Sequence, residues 1–96
     1  MEVIAEKTWS WMLFADGPRR LLSVVCGGVG IYEIEIELTA DEIAAYGQTD
    51  RGYLDELADA VRSTPMAFEM RRLSGLLSGE GARTAVAAWR KRQSPE

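Results

Sequence analysis

The chain has 96 residues, with 11 Lys+Arg against 15 Asp+Glu, one cysteine and no histidine. That length fits a single domain, residues 1–96, and 47 % apolar with 27 % charged residues is the balance of a folded globular chain. Without histidine, Ser-His-Asp and Cys-His catalysis, HExxH zinc sites and Cys2His2 fingers are all excluded, and Cys26 alone permits no internal disulfide.

Residues 2–5 offer a candidate edge strand. Residues 8–15 are rich in aromatic and large apolar side chains and precede Asp16-Gly17, a two-residue hairpin signal. Folding there pairs Phe14 with Arg19, Met12 with Leu21, Trp11 with Leu22 and Trp9 with Val24. Trp9, Trp11, Leu13, Leu22 and Val24 then share a core face.

Gly27-Gly28-Val29-Gly30 supplies the next turn, into a segment where Tyr32, Ile34, Ile36 and Leu38 alternate with Glu33, Glu35 and Glu37. Strict period two marks a half-buried strand. A three-residue loop sets Leu22 opposite Ile34, Val24 opposite Tyr32 and Arg19 opposite Glu37; a register one residue away would bury Glu33.

At Thr39-Ala40-Asp41-Glu42 the pattern becomes a capping box, with Leu38 and Ile43 at the staple positions. The helix runs to about residue 46, where Gly47 offers a stop. A second helix covers residues 50–63 and gathers Leu54, Leu57, Ala58 and Val61 on one face. Thr64-Pro65 opens a short helical segment carrying Met66, Phe68, Met70 and Leu73. Residues 74–81 read as loop, and residues 82–93 as a basic helix with Ala85, Val86 and Trp89 on one side. The expected fold is α+β. A three- to four-stranded antiparallel meander (1–38) precedes two to four helices packed on one face, namely a helical layer (39–73), a loop and the C-terminal helix.

Little in this order suggests chemistry. Glu33, Glu35 and Glu37 form a row with spacing of about 7 Å, which does not converge on a cation as hard-metal sites require. Cys26 lacks a base to activate it, and the glycine run leads into a strand, not a helix N-terminus. No catalytic, cofactor-binding or metal-ligating residue is assigned. Asp55 and Asp59 lie one turn apart on an outward helix face beside Glu56. Met12, Phe14 and Leu21 share the glutamate face, so either the C-terminal helix covers them or they form an interface, for a partner or for a second copy.

Charge is divided along the chain. Residues 1–60 hold 12 acids and 4 bases, net −8, and residues 61–96 hold 3 acids and 7 bases, net +4. An acidic body favours encounter with a basic protein and opposes nucleic-acid binding. The basic segment can also pair internally with the acidic sheet. The N-terminus carries no pattern of a targeting signal, and no apolar run reaches the length of a membrane span. A cytoplasmic protein is expected.

Trp9-Ser10-Trp11-Met12, then Leu22-Ser23-Val24-Val25-Cys26-Gly27, then the alternating run from Tyr32 through the capping box to Glu42, and then Leu54, Leu57-Ala58, Pro65 and Phe68 follow at suggestive spacings. Over roughly residues 8–72 the chain resembles small bacterial proteins similar to the immunity proteins of polymorphic-toxin and contact-dependent inhibition systems. The resemblance rests on fold-determining positions. It implies a non-enzymatic protein that binds and blocks a cognate toxin made by the same cell. The expected contacts are then Glu33, Glu35, Glu37, Asp55, Glu56 and Asp59 toward a basic toxin, with Met12 and Phe14 as anchors. The alternative is a homo-oligomeric structural or regulatory module joined through Met12, Phe14 and Leu21.

Overall fold

Gly17 takes φ +61° and Pro18 after it is fixed at negative φ, as the two central positions of a II′ hairpin require. This turn joins β2 (Trp11–Asp16) to β3 (Arg19–Cys26) in the computed structural model, which describes residues 1–7, 9–26, 32–49, 51–73 and 79–93. Pairing starts at Asp16↔Arg19 and runs through Phe14↔Leu21 and Leu13↔Leu22 to Trp11↔Val24. The turn therefore lies one residue later than Asp16-Gly17, and the expected register moves by two. Pro18 is the reason: in the expected turn it would flank the loop, where the ladder needs an N–H that proline lacks.

The pairing of β3 with β4 (Tyr32–Glu37) moves by two as well, to Leu22↔Ile36, Val24↔Ile34 and Cys26↔Tyr32. The glycine run that joins these strands lies outside the described residues. A shift of two leaves each side chain on its expected face. β1 (Glu2–Lys7) adds to the free side of β2, giving an antiparallel sheet of order β1-β2-β3-β4. A bulge at Ile4 separates Val3↔Phe14 from Ala5↔Leu13, so Val3 and Ala5 point to opposite faces.

One face carries Trp11, Leu13, Leu22, Val24, Ile34 and Ile36, buried against Leu54, Leu57, Ala58 and Val61 of α2 (Arg51–Ser63). α1 (Ala40–Thr49) starts at the expected capping box: Thr39 N–H donates to Glu42 Oε1 at 2.8 Å, and Glu42 N–H donates to Thr39 Oγ1 at 3.2 Å. Gly47 does not stop this helix; it has no positive φ and the helix continues two residues beyond it. A 3₁₀ helix (Pro65–Arg71) packs Phe68 against this core and leaves Met66 and Met70 exposed.

α3 (Glu80–Gln93) lies on the other face. Its Ala82 and Ala85 bury Val3, Phe14 and Leu21, with Val86 and Trp89 half-buried beside them. The α+β order of strands then helices is thus present, with its helices divided between both faces. The crossing is made at the edge of β4, where Arg72 bridges Ile36 and Leu73 N–H donates to Glu35 O at 2.7 Å. Leu73 itself packs on the α3 side. The same contacts cover the β4 edge, which would otherwise invite pairing with another chain.

Candidate partner-binding site

Register aligns Glu6, Met12, Ser23 and Glu35 in one row across the α3-bearing face. α3 covers the β1 end of that face, because its buried alanines allow close approach to the sheet. Toward β4 the cover ends, and an open groove of about 550 Å³ remains between α3 and the sheet. Met12 and Val25 form its sheet side, and Val86 and Ala87 its helix side. Glu33 stands at the β4 end and Arg83 on α3. Among the described residues neither makes an ion pair with another side chain. The volume lies within the range of ligand-binding clefts, roughly 300–1,000 Å³.

Trp9 also borders the groove. It is 81 % exposed and holds φ +63°, in a turn closed by Ser10 N–H donating to Lys7 O at 2.9 Å. A bulky residue in the left-handed region is a strained outlier, at about 1–2 kcal/mol. Arg62 of α2 over-determines the turn. Its Nη2 donates to Ser10 O at 2.9 Å and to Ser10 Oγ at 2.6 Å, and its Nε donates to Val25 O at 2.8 Å. The indole is therefore presented on a braced loop. The expectation that Trp9 lies in the core is corrected: β2 begins only at Trp11.

The structure separates the remaining expected contacts. Glu33, Glu35 and Glu37 lie on the α3 side of the sheet, whereas Asp55, Glu56 and Asp59 lie on α2 across it. They do not form one surface. Several are engaged within the molecule. Arg19 Nη2 donates to Glu37 Oε1 at 3.1 Å, diagonally and not as a directly opposite pair. Asp55 accepts from the Trp11 indole at 2.8 Å and pairs with Lys7 at 3.4 Å, and Asp59 pairs with Arg62 at 3.0 Å. Phe14 is fully buried beneath α3, as is Leu21, so neither of these two side chains offers an exposed anchor to a partner or to a second copy. Met12 stays half-buried in the groove. The basic segment pairs in part internally, through Arg71 with Glu42 and Arg90 with Glu6.

Burial pushes the Glu35 carboxyl above its ordinary pKa, and Glu33 beside it adds to the rise against the pull of Arg72. Burial likewise pushes the Cys26 thiol up, although Arg62 and Arg72 oppose it, which keeps it protonated and a poor nucleophile. Among the described residues no three His, Cys, Asp or Glu side chains are grouped to hold a metal ion, and no helix is long and apolar enough to cross a membrane. In comparisons with known proteins, no family model, curated protein or solved structure matches the chain.

Proposed function

We propose that this chain is a non-enzymatic protein-binding domain that acts as an immunity protein does, by occupying a cognate toxin. Its contact surface is the groove rim formed by Trp9, Met12 and Glu33. The observation that carries this reading is Trp9, 81 % exposed at φ +63° on a loop braced by Arg62. Tryptophan is among the residue types enriched at interface hot spots, and backbone strain concentrates at functional sites. Glu33, which lines the groove that Trp9 borders, adds negative charge to the same rim, which favours a basic partner through faster encounter. The absence of histidine and a thiol held protonated argue against catalysis. A protected, reduced Cys26 fits a cytoplasmic location.

Calorimetric titration against the protein encoded beside this one tests the reading. Trp9→Ala is expected to weaken binding by 2 kcal/mol or more, about thirtyfold, as at an interface hot spot. Unchanged affinity in Trp9→Ala would refute the assignment.

A further inference from the structure

We infer that α3 is a latched cover that opens as a unit of its own, with Glu6 as the latch and the α2-side core left whole. The buried apolar side chains divide into two cores on opposite faces of the sheet. Thirteen described residues form the α2-side core, among them Leu54, Leu57 and Val61 of α2. The α3-side core has five, and α3 gives it Ala82 and Ala85 as its buried side chains. An alanine withdraws far less apolar surface from water than a leucine, so α3 is held by burial much less firmly than α2. Segments with few buried apolar contacts open at less cost than the whole molecule. No described residue of α3 belongs to the α2-side core, so that core stays closed when α3 lifts. Lifting uncovers Val3, Phe14 and Leu21, 0–2 % exposed in the closed form, and this keeps the open form minor.

Polar contacts fasten the C-terminal half of the helix. Glu6 on β1 accepts from the Trp89 indole at 2.7 Å and pairs with Arg90 at 3.5 Å. Its side chain is only 14 % exposed, and hydrogen bonds to a partly buried carboxylate are stronger than those between neutral groups. Arg92 stacks over the Trp89 ring at 5.6 Å, and its Nη2 donates to Val3 O at 3.4 Å. Glu6 serves both Trp89 and Arg90, so one change at this residue loosens both.

The closed helix hides an apolar sheet face and caps a carbonyl of the outermost strand, β1. Open apolar faces and open strand edges are the features through which chains associate. α3 also brings Arg83, Val86, Ala87 and Arg90 to the groove, so opening removes one of its walls.

Hydrogen exchange of single amides in the full chain, followed at rising urea below the unfolding transition, tests the inference. Amides from Ala85 to Arg90 are expected to share one level of protection, about tenfold or more below that of Leu54 to Val61 in α2. Glu6→Ala is expected to speed exchange across α3 by about tenfold, as loss of charged hydrogen bonds does, with α2 unchanged. Glu6→Gln keeps an acceptor for the Trp89 indole and loses the Arg90 pair, so it is expected to speed α3 by about threefold. α3 exchanging in step with α2 in the unaltered chain would overturn the inference. Protection that falls gradually toward the helix ends would overturn it too, since that is fraying and not opening as a unit. Equal acceleration of α2 and α3 in either variant would remove Glu6 as the latch. None of these results touches the Trp9 reading, which the toxin titration decides separately.

Discussion

The indole N–H of Trp11 on β2 donates to Asp55 Oδ1 on α2 at 2.8 Å, tying the sheet to the helix that covers it. The Trp11 ring is 2 % exposed, so its one polar atom needs an acceptor at the edge of the core. Asp55 is thus structural, despite its place on the outward side of α2. Asp55→Ala is expected to destabilise the fold by about 1–3 kcal/mol, measured by urea unfolding. Asp55→Asn keeps an acceptor and is expected to lose less than half as much.

Arg62 is expected to be among the least replaceable polar residues. It satisfies the Ser10 and Val25 carbonyls from α2 with a fork that lysine cannot reproduce. Arg62→Lys and Arg62→Met are both expected to destabilise by about 2–3 kcal/mol. Amide exchange at Ser10, whose N–H closes the Trp9 turn, is expected to accelerate in both variants.

Acid and base dependence should separate Glu42 from Glu35. Burial raises the Glu42 pKa, but hydrogen bonds from Arg71 and from Thr39 outweigh it and leave a net lowering. A lowered folded pKa gives stability that is present above the unfolded value and lost as pH falls through the folded value. Glu42→Gln is expected to flatten that loss on the acid side. Glu35 has the opposite sign, because its raised folded pKa makes the carboxylate unfavourable at neutral pH. Glu35→Gln is expected to raise the urea midpoint at pH 7, with the gain vanishing as pH falls below the ordinary glutamate pKa. A gain that persists unchanged at low pH would contradict the burial origin of the shift.

Trp9 should show opposite effects on stability and on binding. Glycine accepts φ +63° without a Cβ penalty, and an indole 81 % exposed contributes little burial. Trp9→Gly is expected to leave stability unchanged or raise it by about 1 kcal/mol, while partner affinity falls. A Trp9→Gly protein that unfolds more easily would show that the indole serves packing.

The faces of the sheet were legible because period two survives a register shift of two. Leu13, Leu22, Val24, Ile34 and Ile36 are buried on the expected side although both hairpin registers moved. What moved them, Pro18 in the first hairpin, is a backbone property that hydrophobic pattern does not weigh. The turn at Trp9 was hidden for a related reason. It contains no Gly, Asn, Asp or Pro, so the aromatic run looked like uninterrupted strand. The α2 face was readable from helical spacing, and so was the apolar side of α3. Which side of the sheet each helix covers was not, since that depends on how Arg72 and Leu73 pass the β4 edge. For that reason six acidic residues that look like one surface in sequence are divided between opposite sides of the sheet. The groove was illegible altogether. Its walls come from β1, β2, β3, β4 and α3, and only tertiary packing brings them together.

The central claim is that partner binding uses the α3 side of the sheet, at the rim built from Trp9, Met12 and Glu33. A map of backbone amide chemical shifts in the chain, free and saturated with the protein encoded beside it, addresses this most directly. The account predicts the largest changes at Trp9, Met12, Val25 and Glu33, with Glu56 and Asp59 on α2 undisturbed. Changes centred on Glu56 and Asp59, with Trp9 and Glu33 unmoved, would contradict it.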